Sequence, residues 1–225
     1  MTTTPIAAAS SIGELVARAR LSAGDSHTVF RALLDTLARP GQVLALPPDL
    51  AARVPPAVLA LLALADVEIS VAVLADPPPV GEGLWLEVVR SVTGAGPAAL
   101  PRAQMVAALR APTASEVMVL ERGTAEAPEL GARVSLACRS LHPGRTAVHE
   151  TTTLVEVRGP GVDGEQAFRV DGLAAELIEA IGEANREPPA GIDCWLVADD
   201  GAVVGLPRSA SCRVQPPAGA QRKAG

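Results

Sequence analysis

"GIDCWLVADDGAVVGLP", residues 191–207, decides the fold reading. Two apolar runs flank "ADDGA", a turn signal, so the stretch predicts a hairpin of two buried strands. Upstream, "LAAELIEAIGEANRE" (173–187) carries apolar residues at helical spacing and predicts a helix. Further back, "TTTLVEVRG" (151–159), "ARVSLAC" (132–138), "AQMVAAL" (103–109) and "EISVAVL" (68–74) read as strands, being rich in β-branched and aliphatic residues. Between them, "ASEVMVLERG" (114–123), ended by Gly123, and "GEGLWLEVVRSVTG" (81–94), set between glycines, read as helices. "PPAVLALLALAD" (55–66) predicts a largely buried helix, and "GQVLAL" (41–46) a short strand.

The first strong helix is expected over 26–38, capped by Asp25 or Ser26. Phe30, Leu33, Leu34 and Leu37 fall at i, i+3, i+4 and i+7 and are the expected buried stripe. Pro40 ends the helix because it lacks an N–H and restricts Arg39. Helices and strands thus alternate through the middle while the end is strand-rich. The fold class expected is α/β, a three-layer α/β/α domain with a mixed sheet. Residues 1–24 read as a loose lead-in, 25–214 as one domain and 215–225 as a disordered tail.

The 225 residues fit one domain. Aromatic residues make up 2%, so aliphatic side chains and alanine must fill the core. The net charge of −6 and the scarcity of aromatics argue against non-specific nucleic-acid binding, which uses basic tracks and stacking platforms. Three cysteines without CxxC spacing fit a reducing, cytoplasmic setting better than a disulfide scaffold. The longest apolar run, near 57–65, is too short to span a bilayer.

"GPGVDG" (159–164) matches GxGxxG, but "EQAFRV" after it is strand-like, and a dinucleotide site needs a helix there. A tight turn between strands is the better reading. His27, His142 and His149 match no zinc spacing, so no metal is expected. The sole lysine, Lys223, sits near the end of the chain, which argues against pyridoxal-phosphate catalysis and leaves no cofactor expected. The residues that bear charge in suggestive places are His27, Arg31 and Arg39, on one helix edge with Asp35, and Asp193 and Arg208, at the outer ends of the hairpin. The helix edge is either a solvated face or a place for an anion or a partner. Asp193 and Arg208 either close a salt bridge across the turn-distal end or face a cleft, arginine being suited to phosphate or phosphonate.

The order of segments carries more than any one of them. "HTVFRALLDTLARPG" (27–41), "LALADVEISVAV" (62–73), "GTAEAPELGARV" (123–134), "GPGVDG" (159–164) and "GIDCWLVADDGAVVGLPRS" (191–209) together resemble the PhnH family, the H subunit of the bacterial carbon–phosphorus lyase system. One departure is "EPPAGID" (187–193), where the family often has a bulky apolar pair before the glycine. The resemblance implies a fold like that of the pyridoxal-phosphate-dependent transferases, without the cofactor. It implies a homodimer in isolation and assembly with the G, I and J subunits. It also implies a part, with the G, I and L subunits, in phosphonate attack on the ribose C1 of ATP, releasing adenine and forming ribose 1-phosphonate 5-triphosphate. Under this reading His27, Arg31, Arg39, Asp193 and Arg208 contact ATP, phosphonate or a partner surface. The alternative is a scaffold subunit that stabilises the complex without touching substrate.

Overall fold

The computed structural model describes residues 11–75, 82–146 and 152–215. In chain order the elements are α1 (Ile12–Ala19), α2 (Ala23–Ala38), β1 (Leu44–Ala45), α3 (Pro48–Ala51), α4 (Leu59–Leu64), β2 (Ser70–Leu74), α5 (Glu82–Thr93), β3 (Gly96–Pro97) and β4 (Met105–Ala108). They continue with α6 (Ala114–Met118), β5 (Arg133–Cys138), β6 (Ser140–Pro143), β7 (Thr153–Arg158), β8 (Gln166–Asp171), α7 (Ala175–Ala184), β9 (Asp193–Ala198), β10 (Ala202–Leu206) and β11 (Ser211–Gln215).

The expected hairpin is β9–β10, paired antiparallel from Cys194–Leu206 to Val197–Val203. It belongs to a mixed sheet which, among the described residues, has seven strands in the order β1-β10-β9-β5-β4-β2-β3. β9, β5, β4, β2 and β3 run parallel, while at one edge β10 pairs antiparallel with β9 and β1 antiparallel with β10. The central strands read as unbroken apolar runs because both faces are covered. Val71, Val73, Met105, Ala107, Trp195 and Val197 face α1, α2, α4 and α5. Ala72, Val106, Ala108, Val134, Leu136, Cys194 and Leu196 face the opposite layer.

That opposite layer differs from the helical one expected. It combines α6 and α7 with a separate antiparallel sheet of, among the described residues, four strands, order β11-β7-β8-β6. Alternation builds it, broken in β8 where Ala167 beside Phe168 and Asp171 beside Val170 are also buried. Val155, Val157, Phe168 and Val170 point into the core, while Glu156, Arg158 and Arg169 lie on the outer face. The "GPGVDG" stretch is the turn of the β7–β8 hairpin, as its strand-like sequel implied.

Helix α2 begins earlier than expected. Ser22 is its cap, in a reciprocal box with Asp25. Its buried stripe is also turned, to Val29, Leu33 and Thr36, leaving Phe30 41% and Leu34 42% exposed. The reason is a close approach to the sheet. The Thr36 backbone lies directly over Gly205 of β10, the Thr36 hydroxyl is satisfied by the Leu33 carbonyl at 2.7 Å, and Trp195 Nε1–H donates to that same carbonyl at 3.2 Å. A small polar residue thus takes the seat expected for a leucine.

Other boundaries shrink. α6 stops at Met118, well before Gly123, and the helix expected over 55–66 opens with a 3₁₀ turn at Pro56–Val58. The stretch read as a lead-in carries α1, capped by Ser11 with Glu14 reaching back to it. Of the stretch read as a tail, Gln215 is the last residue of β11, and 216–225 lie outside the described residues. His149 lies outside them too. Among the described residues no helix is long and apolar enough to cross a membrane.

Candidate functional site

The hairpin places Asp193 at the start of β9 and Arg208 two residues after β10, so the two side chains meet at the turn-distal end. Arg208 Nη2 lies 2.6 Å from Asp193 Oδ2, and Nε lies 3.2 and 3.3 Å from the two carboxylate oxygens. The Arg208 backbone N–H also donates to Asp193 Oδ1, at 2.9 Å. Arg208 Nη1 donates to the Pro128 carbonyl. Each guanidinium nitrogen is therefore engaged, and the side chains are only 15% and 19% exposed. The salt bridge foreseen at that end is present. A groove of about 660 Å³ runs beside it between α7 and residues 208–214, lined by Glu179, Asn185, Arg186, Arg208 and Arg213.

The helix edge behaves differently. Arg39 pairs with Asp35 at 3.1 Å on the surface, a contact worth about 0.3–0.5 kcal/mol. His27 and Arg31 are exposed and make no hydrogen bond or ion pair among the described residues. They flank Phe30 and Leu34, so this face of α2 mixes uncovered apolar surface with available donors. No side-chain hydrogen bond or ion pair joins this edge to the Asp193–Arg208 pair among the described residues. Of the five residues singled out, the structure brings together only those two.

The pair also lies at the amino ends of the parallel strands β5 and β9. In open α/β sheets ligands gather at the carboxyl ends. Those ends hold other polar groups. Beyond β4, Arg110 grips Glu116 with two bonds, 2.9 and 2.6 Å. Beyond β5 stand Ser140 and His142, joined to Asp171 of β8 by the Ser140 hydroxyl at 2.6 Å. Beyond β9 come Asp199 and Asp200. Burial, then Asp200, raises the Asp199 pKa, with Arg139 opposing. Sequence reasoning missed this edge. Its members come from separate strands, and only pairing brings them together.

The cysteines are not poised as nucleophiles. Burial pushes the Cys138 thiol up to about 12, with Asp199, Asp200 and Asp171 adding to it, and burial raises Cys212 to about 11. Both remain protonated thiols at neutral pH. Among the described residues no group of three or more His, Cys, Asp or Glu side chains is arranged to hold a metal ion.

Glu116 gives a pH test of the edge. Its bonds to Arg110, outweighing burial, hold its pKa down to about 2 from an ordinary 4.5. The folded-state value is depressed, so the stabilisation is complete above about pH 4.5 and is lost as pH falls toward 2. After allowance for solvent screening, about 1 kcal/mol should disappear over that range. In Glu116→Gln, urea midpoints measured against pH should lose that part of the acid slope. An unchanged slope would mean the pair contributes nothing.

The family model described as "Bacterial phosphonate metabolism protein (PhnH)" matches residues 20–213, most of the chain. The chain belongs to the PhnH family. No curated protein matches it. PhnH membership gives the chain a role in phosphonate metabolism, and the sequence resemblance to this family is borne out. The matched span contains the hairpin, the Asp193–Arg208 pair, the α2 face and the whole carboxyl edge of the sheet. It also contains β6, β7, β8 and most of β11, so nearly all of the second sheet falls within the PhnH-matched region, whereas α1 lies before it.

Proposed function

We propose that this chain is a non-autonomous, cytoplasmic subunit of the carbon–phosphorus lyase system. It acts with the G, I and L subunits in phosphonate attack on the ribose C1 of ATP, which expels adenine and gives ribose 1-phosphonate 5-triphosphate. It assembles with the G, I and J subunits and pairs with itself in isolation. The observation that carries the docking part is the α2 face, where Phe30 and Leu34 stand more than two-fifths exposed beside Arg31 and His27, whose side chains have no partner among the described residues. Large apolar side chains rimmed by polar groups fit a surface that another protein covers. The mixed sheet, parallel at its centre with antiparallel strands at one edge, is in keeping with a pyridoxal-phosphate-transferase-like fold used without that cofactor.

The scaffold reading keeps one specific support. Arg208, the arginine best placed beside a groove, is already committed to Asp193 and Pro128. A scaffold needs no free cation there.

The test is Phe30→Asp with Leu34→Asp. Both side chains are exposed, so the thermal midpoint should move little. Co-purification with the G, I and J subunits, or self-association by light scattering, should fall about tenfold or more, as expected for lost apolar anchors in an interface. Unaltered assembly of a folded variant would remove the α2 face from the reading.

A further inference from the structure

Asp171 closes β8 and is only 6% exposed. Burial pushes its pKa up, but hydrogen bonding from Ser140, with Thr152 and His142 adding to it, outweighs burial and holds it below the ordinary value. The carboxylate is therefore ionised at neutral pH, and an ionised carboxylate only accepts. Ser140 must give its one hydroxyl proton to Asp171 Oδ2, 2.6 Å away. The Ser140 oxygen is then an acceptor toward His142 Nε2, at 3.1 Å. His142 consequently carries a proton on Nε2, which also lies 3.6 Å from Asp171 Oδ2, and in the neutral ring Nδ1 is then the acceptor. The imidazole is 35% exposed, and no group bonds Nδ1 among the described residues.

Directly opposite His142 in the β6–β8 register is Arg169. Opposed residues of an antiparallel pair share a face, with Cβ atoms about 5 Å apart. Arg169 Nε and Nη2 donate to the Arg145 carbonyl, at 3.1 and 2.5 Å, and Nη1 has no bonded partner among the described residues. Other charged groups of this face are Asp171, already turned to Ser140, Arg145, already paired with Glu156 and Glu165, Arg158, also paired with Glu165, and Arg213, which stands opposite Glu156 on β11. One oriented acceptor and one cationic donor thus stand side by side, half-buried, beyond the carboxyl end of β5.

We propose that His142 and Arg169 bind a phosphonyl or phosphoryl group in its singly protonated form, His142 Nδ1 accepting the P–O–H and Arg169 donating to the anionic oxygen. The pairing matches an oxyacid that offers one donor and one charged acceptor, and neither a carboxylate nor a dianion offers both. The choice of phosphonate as the probe rests on the family reading above. The geometry of the pair does not depend on it.

The experiment is ring-¹⁵N NMR of the full chain, titrated separately with methylphosphonate, inorganic phosphate and ATP. In the free chain His142 should show a protonated Nε2 and an unprotonated Nδ1. Methylphosphonate should move the Nδ1 resonance, and Arg169→Gln should weaken that binding about tenfold, the usual effect of losing a charge-assisted bond. An equal response to inorganic phosphate supports recognition of the shared group. A response to ATP alone overturns the small-oxyacid assignment. A protonated Nδ1 in the free chain, or no movement with any of the three, overturns the site altogether. The family reading is scored separately, by whether a strain lacking this chain fails to grow on methylphosphonate as its phosphorus source.

Discussion

Gly205→Ala is expected to destabilise the chain by about 3–5 kcal/mol, at the upper end for overpacking. An added Cβ would sit 2.6 Å from both the carbonyl carbon and oxygen of Thr36 and 2.8 Å from the Leu37 nitrogen. All three are backbone atoms of α2, so no side chain can rotate away. The helix cannot retreat cheaply either. Leu33 is 1% exposed, Thr36 is fully buried, and the Trp195 indole is bonded to the Leu33 carbonyl. The methyl must therefore lift α2 from β10 or bend the sheet edge beneath it. Thermal unfolding should show a midpoint lower by about 10 °C for a chain of this size. Gly96→Ala is the control, since a Cβ there meets nothing within 4 Å. If Gly205→Ala unfolds with the control, α2 does not rest on β10 as closely as described. The same variant should also disturb the docking face, because Phe30 and Leu34 are exposed only while Thr36 holds this rotation of the helix.

Which parts were legible in the sequence follows from how local each constraint is. The β9–β10 hairpin could be read because its turn and both apolar strands are contiguous. Asp193 and Arg208 could be paired because they flank that hairpin. The second sheet was hidden because β11 pairs with β7 from more than fifty residues away, and neither strand names its partner. The α2 stripe was misplaced by one residue because apolarity favours Leu34 and Leu37, whereas the packing is decided by a glycine on another strand. That glycine needs a close backbone neighbour and receives Thr36. The His142–Arg169 pair was invisible for the same reason as the second sheet. Alternation places each residue on a face, but only the register sets them opposite one another.

Arg208→Ala should cost about 2–4 kcal/mol, the range for removing one partner of a mostly buried ion pair. The guanidinium ties three segments: the Pro128 turn, the start of β9 and the chain after β10. Without it the Asp193 carboxylate, about four-fifths buried, keeps only the backbone N–H of residue 208 among the described residues, and the Pro128 carbonyl is left with the Gly131 N–H alone, at 3.1 Å. Arg208→Lys should recover little, because a point charge cannot reach Asp193 and Pro128 together in place of a planar fork. Asp193→Ala should cost a similar amount. The double variant should cost clearly less than the sum of the two, since neither charge is then left stranded. Urea unfolding of the four proteins measures the coupling. The contrary result is equally definite: an Arg208→Ala protein with an unchanged urea midpoint whose assembled complex no longer turns over phosphonate and ATP. Arg208 would then be an anion contact, and the clamp would be incidental. A destabilised variant that retains turnover once assembled would fix the opposite order of importance. The hairpin end would be a structural lock, and ligand contacts would have to be sought at the other edge of the sheet, where His142 and Arg169 stand.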